Sequence, residues 1–157
     1  ANDTGTAADG WTAGDFLTIV EAGGTAKRIK PPAEIGIACS DETTAISSTG
    51  DKATIMIPRA MTLTEVKASF TGADSSGQYD IDILYDATDP TSASSILNTP
   101  SSYCTISSSS YSGSTTDFTG PATSYALAED GFIVVNIATA GNSEATGLKV
   151  WLLGYWT

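Results

Sequence analysis

The chain contains no histidine among its 157 residues. That excludes Ser-His-Asp or Cys-His catalysis and any imidazole-based metal set. Cysteine occurs twice, at Cys39 and Cys104, in no metal-like spacing. The pair reads either as two small buried hydrophobes or as one long-loop disulfide. Basic residues number only seven against eighteen acidic ones, for a formal net charge of −11. A phosphate partner demands clustered Lys and Arg, so nucleic acid is disfavoured, and an anionic membrane surface with it. The acidity suits solubility at high copy number. No apolar run approaches the length of a membrane span. Gly23-Gly24 is followed by neither Gly-Lys-Ser nor a helical pattern, so it is no phosphate loop. Periodic arrays of Ala, Leu, Glu and Lys, the mark of long helices, are missing too. The opening Ala1-Asn2-Asp3-Thr4-Gly5 has no basic or apolar leader region. No signal peptide is visible, and an Ala start fits loss of an initiator Met from a cytoplasmically made protein.

What is present is Ser, Thr, Val, Ile and Tyr in short runs between Gly, Ser, Asp and Pro clusters. That composition predicts an all-β protein. Residues 1–32 form an N-terminal arm. Its first ten residues are small and polar, and Phe16 to Val20 and Ala26 to Ile29 make a small hairpin around Gly23-Gly24. Pro31-Pro32 is a stiff extended spacer. A lone hairpin is marginal in water and needs a surface to lie on. Three of the seven cations, Lys27, Arg28 and Lys30, sit in this arm. They read as a solvated face of the hairpin or as a docking patch for acidic partners.

Residues 33–157 form the body. Strands are expected at Ile35 to Cys39, Lys52 to Ile57 (ended by Pro58), Thr62 to Phe70, Tyr79 to Tyr85, Ser95 to Leu97, Phe132 to Ala138 and Leu148 to Trp156. In the third, Thr64, Val66, Ala68 and Phe70 share one face, and Leu63, Glu65, Lys67 and Ser69 the other, mainly polar one. Tyr79, Ile81, Ile83 and Tyr85 alternate with Asp80, Asp82 and Leu84. Phe132 to Ala138 is apolar on both faces and predicts a central strand. Ser101 to Ser114 is Ser-rich low-complexity sequence with isolated Tyr103 and Tyr111. Short strands with turn signals every eight to twelve residues predict an antiparallel β-sandwich or jelly roll.

Candidate chemistry is sparse. Asp80, Asp82, Asp86 and Asp89 are a dense carboxylate group of the kind calcium favours, yet Leu84 breaks the EF-hand order. They read as a solvated strand face and loop, and no metal or cofactor is expected. Eighteen acids give many accidental carboxylate pairs, so no glycosidase pair is singled out. Tyr103, Tyr111, Trp151, Tyr155 and Trp156 read as core or subunit-interface aromatics ahead of sugar-stacking ones. Trp151 and Trp156 fall on opposite faces of a period-two strand, so a regular strand cannot place both in one core.

The ordered set Ser40-Asp41-Glu42-Thr43-Thr44-Ala45, Lys52-Ala53-Thr54 with Pro58, Leu63-Thr64-Glu65-Val66-Lys67-Ala68-Ser69, Ser95-Ile96-Leu97, Phe132 to Ile137 and Ala145 to Tyr155 resembles a β-sandwich module of tailed-bacteriophage virion proteins. Residues 15–29 resemble the hairpin that often precedes it. The resemblance implies a structural protein without catalytic residues. It implies a virion location, on the outer surface of capsid or tail, and the major capsid protein or other virion proteins as partners. With one arm, one sandwich and no repetitive shaft, a capsid decoration (cement) protein is expected. The alternative is a receptor- or carbohydrate-binding module of a tail fibre or tip. Under this reading Phe16, Leu17, Ile19, Lys27, Arg28 and Lys30 contact the partner. Trp151, Tyr155 and Trp156 supply a homo-oligomer interface, with a trimer preferred to a dimer.

Overall fold

Alternating apolar residues between polar turns fold into strands throughout. The computed structural model describes the backbone of residues 17–20, 26–120 and 123–157, and the side chains of 30–120 and 123–157. The strands are β1 Leu17–Val20, β2 Ala26–Ile29, β3 Pro32–Ala38, β4 Gly50–Met56, β5 Met61–Ser69, β6 Tyr79–Asp86, β7 Ser94–Ser95, β8 Cys104–Ile106, β9 Ser112–Thr115, β10 Tyr125–Leu127, β11 Phe132–Thr139 and β12 Lys149–Trp156. A single 3-10 turn, Pro90–Ser92, accompanies them among the described residues. Strands β1 and β2 pair with each other, Leu17 opposite Ile29 and Ile19 opposite Lys27.

The other ten strands make two antiparallel sheets. The front sheet runs β10-β5-β12-β3, with β9 also on β5; the back sheet runs β4-β11-β6-β7, with β8 also on β6. Pairing is nested: β3 with β12, β4 with β11, β5 with β9 and β10, β6 with β7 and β8. This nesting is a jelly roll, two Greek keys wound together. The expected antiparallel sandwich is therefore the fold. Its core comes from the facing sides: Ile37, Leu63, Val66, Val150 and Leu152 in front, and Tyr79, Ile81, Ile83, Ile133, Val135 and Ile137 behind. As its apolar character predicts, β11 is central, between β4 and β6.

Four expectations are corrected. First, Leu63 is fully buried, not on the polar face of β5. Against consecutive Leu153 and Gly154, β5 offers Glu65 and then Leu63, so Thr64 is an extra residue. This bulge shifts the alternation: Met61 and Leu63 point inward before it, Val66 and Ala68 after it. The Thr64 hydroxyl donates to the Leu153 carbonyl at 3.2 Å, and any Cβ at Gly154 would overlap the Thr62 carbonyl. Second, the Ser-rich stretch contains two sheet strands, β8 and β9. Cys104 and Ile106 are buried in period two, and small side chains fit strands at a sheet margin. Third, Pro32 belongs to the body: it opens β3 opposite Tyr155, and the Pro31 carbonyl accepts from the Trp156 N–H at 3.0 Å. Proline is tolerated there because β3 is an edge strand. Fourth, Cys39 and Cys104 are both free and buried, which removes the disulfide alternative. Burial pushes both thiols up to about 12.

Candidate interaction face

The outer side of the front sheet carries two of the aromatic residues singled out in the C-terminal strand, Trp151 and Tyr155. Along β12, Val150 and Leu152 point into the core, so Lys149, Trp151, Leu153 and Tyr155 point out. Register then fixes their neighbours. Tyr155 lies between Pro32 and Thr62, Leu153 between Glu34 and Glu65, and Trp151 between Gly36 and Lys67. Lys67 in turn faces Ser114, and Ser69 faces Ser112. The result is a half-buried apolar column, Trp151–Leu153–Tyr155, with carboxylates on both flanks at its middle. The Lys67 ammonium lies 3.6 Å from Glu65, an exposed pair of small energetic weight.

The arm joins this face at its Tyr155 end. Lys30 places its ammonium 4.2 Å from the centroid of the Tyr155 ring, a cation–π contact. Two residues reached by separate arguments, Lys30 as a docking cation and Tyr155 as an interface aromatic, are thus in direct contact. Trp156 lies on the other side of the sheet from Trp151 and Tyr155. It has the inward parity of β12 and packs, partly buried, against the core. Trp151 and Trp156 do point to opposite faces, and Trp151 is the one on the surface. Of the other expected contact residues, Phe16 and the side chains of Leu17, Ile19, Lys27 and Arg28 lie outside the described residues.

At the far end of the column is a shallow open groove of about 460 Å³, lined by Trp151, Lys67, Ala68, Ser69, Ser112, Gly113 and Ser114. Gly113 has a structural reason. A Cβ there would overlap the Thr105 carbonyl, so only glycine lets β9 lie this close to β8. That contact holds Ser112 and Ser114 in place. Leu153 belonged to a period-two pattern already visible with Trp151 and Tyr155. The serines had no such signal, because their strand was hidden in low-complexity sequence.

The aspartate group does not converge on a site. Asp80 accepts from Thr105 and Gln78 side chains. Asp86 accepts from the Thr88 and Asp89 N–H groups, and Asp89 from Thr91 and Ser92. Those hydrogen bonds hold both Asp86 and Asp89 below the ordinary carboxylate range. They are turn-forming caps. Asp82 is no solvated strand residue: it is 7% exposed, and accepts from the Ser95 hydroxyl at 2.7 Å. Burial pushes its carboxyl up, against the pull of that bond. Among the described residues no group of three or more acidic or thiol side chains is arranged to hold a metal. Tyr111 is 60% exposed on the loop before β9.

The loops at the Trp151 end are knitted around a second aspartate. Asp74, buried before β6, accepts from the Ser76 and Gly77 N–H groups at 3.0 and 2.6 Å and from Glu144 N–H at 3.3 Å. Burial raises its carboxyl, but the surrounding N–H groups outweigh it and the net position is below the ordinary value. The Tyr79 hydroxyl donates to the Ile46 carbonyl at 2.9 Å and lies 3.4 Å from Asp74. Comparison with protein-family models, with curated proteins and with solved structures finds no match.

Proposed function

We propose that this chain is a structural interaction protein of a bacteriophage particle, a capsid decoration protein that binds the shell through its arm and the arm-side end of its front sheet. The observation that carries this reading is Lys30 stacked on Tyr155. It makes the end of the arm and the apolar column of β12 one continuous surface. Leu153 and Tyr155 retain exposed apolar area, and burial against a partner contributes about 25 cal/mol for each Å² covered. Each contact is modest, and many copies on a symmetric shell multiply it. Lys27, Arg28 and Lys30 add attraction to acidic shell residues. The chain forms homo-oligomers on the particle, trimers ahead of dimers. The jelly roll supports this reading, since the architecture recurs in capsid proteins, though fold alone does not assign function.

The test is removal of residues 1–30. The jelly roll should keep its melting transition, because its core is built from residue 33 onward. Binding to particles stripped of the protein should be lost. Unchanged saturation of bare particles by the truncated chain overturns the docking role. Copy number in purified particles separates the two virion positions: hundreds per particle for decoration, a few tens or fewer for a tail tip.

A further inference from the structure

We propose that the groove beside Trp151 binds a glycan chain, with a pyranose ring stacked on the indole. Three strands present matching rows there: Trp151, Lys67 and Ser114 in one, Lys149, Ser69 and Ser112 in the next. Adjacent strands are about 4.8 Å apart, a spacing comparable to the length of one sugar ring. A saccharide laid across the strands therefore meets an aromatic wall, then an ammonium, then hydroxyls.

Apart from the Lys67 ammonium, which lies 3.6 Å from Glu65, the polar groups of the groove are uncommitted. Among the described residues, neither the Trp151 indole N–H nor the hydroxyls of Ser69, Ser112 and Ser114 bond to a protein group. On the β3 side the ring is bordered by Gly36, whose missing Cβ would lie 3.5 Å from Nε1. Gly36 itself places no side chain against the indole. An apolar ring face edged by unused donors and acceptors fits a molecule with a C–H face and a hydroxyl rim. The groove lies at the end of the column away from Lys30, so docking by the arm leaves it open.

The test uses the free full-length protein and four probes: cellotetraose, maltotetraose, chitotriose and sialyllactose. The reporter is the Trp151 indole N–H resonance, identified by its loss in Trp151→Phe. At least one probe should shift it saturably at millimolar concentration, together with the Ser112 and Ser114 amides. Ser112→Leu fills the groove from β9 without entering the core, because Ser112 lines it and is exposed. It should weaken binding at least about tenfold while the melting temperature holds. Ser114→Ala should weaken it roughly two- to tenfold, the value of one hydrogen bond. No shift with any probe overturns the proposal, including the case where copies associate over Trp151 and close the groove. So does binding that survives Ser112→Leu unchanged.

Discussion

Replacing Tyr79 by Phe deletes one oxygen from a fully buried site and tests how the loop end is held. The Tyr79 ring has no exposed surface and packs edge-on against Phe70, with centroids 4.9 Å apart. Gly141 lies against the ring: a Cβ there would come within 2.7 Å of Cε2. Phe preserves all of that packing. It removes the donor to the Ile46 carbonyl and the contact with Asp74. A buried acceptor left without its partner costs about 1–3 kcal/mol. For a chain of this size each kcal/mol moves Tm by roughly 2–4 °C, so a fall of about 2–12 °C is expected. Thermal and urea unfolding, followed by two probes to check two-state behaviour, measure it. Hydrogen exchange should accelerate in residues 40–49 and 140–147, which are joined through the Ile46 N–H to Ala145 carbonyl bond. A variant as stable as the parent within about 0.3 kcal/mol, with no faster exchange there, refutes the role given to this hydroxyl.

Changing Lys27, Arg28 and Lys30 to Glu should lower affinity for stripped particles more than it lowers Tm. Binding by the parent should weaken with salt, as the Debye length falls from about 10 Å at 0.1 M to about 3 Å at 1 M; a salt-independent affinity points to apolar packing instead. Asp82 has a folded-state carboxyl raised above its unfolded value, so ionisation opposes folding as pH rises through that window. Asp82→Asn keeps the acceptor for Ser95, should stabilise the protein at pH 7, and should lose that advantage below the ordinary carboxylate pKa; equal stability at pH 7 refutes the burial argument. Asp86, Asp89 and Glu144 have the opposite sign, with folded values held down by hydrogen bonds, so their contribution should vanish as pH falls below about 4. Both thiols should resist an aromatic disulfide reagent in the native protein and react only on unfolding, since burial disfavours the thiolate.

Period-two alternation in Tyr79 to Tyr85, the two-sided apolar run from Phe132 and the stop at Pro58 were legible in the sequence because each is a local pattern. So was the placing of Trp151 and Trp156 on opposite sides of the last strand, which needs only the parity of one strand. The Thr64 bulge was not legible. It depends on what β12 offers across the ladder, and it reversed the side assigned to Leu63. Strands β8 and β9 were hidden because short runs of Ser, Thr and Gly carry almost no hydrophobic signal; pairing with β6 and β5 makes them strands. Trp156 was turned inward by the same register that left Trp151 outside. Composition and alternation by themselves determined an all-β sandwich, an acidic surface and the absence of imidazole chemistry. Tertiary structure alone decided that Lys30 meets Tyr155, that Asp82 is buried, and that Trp151 borders a row of serines. Those depend on contacts between residues far apart in the chain, which no local pattern encodes.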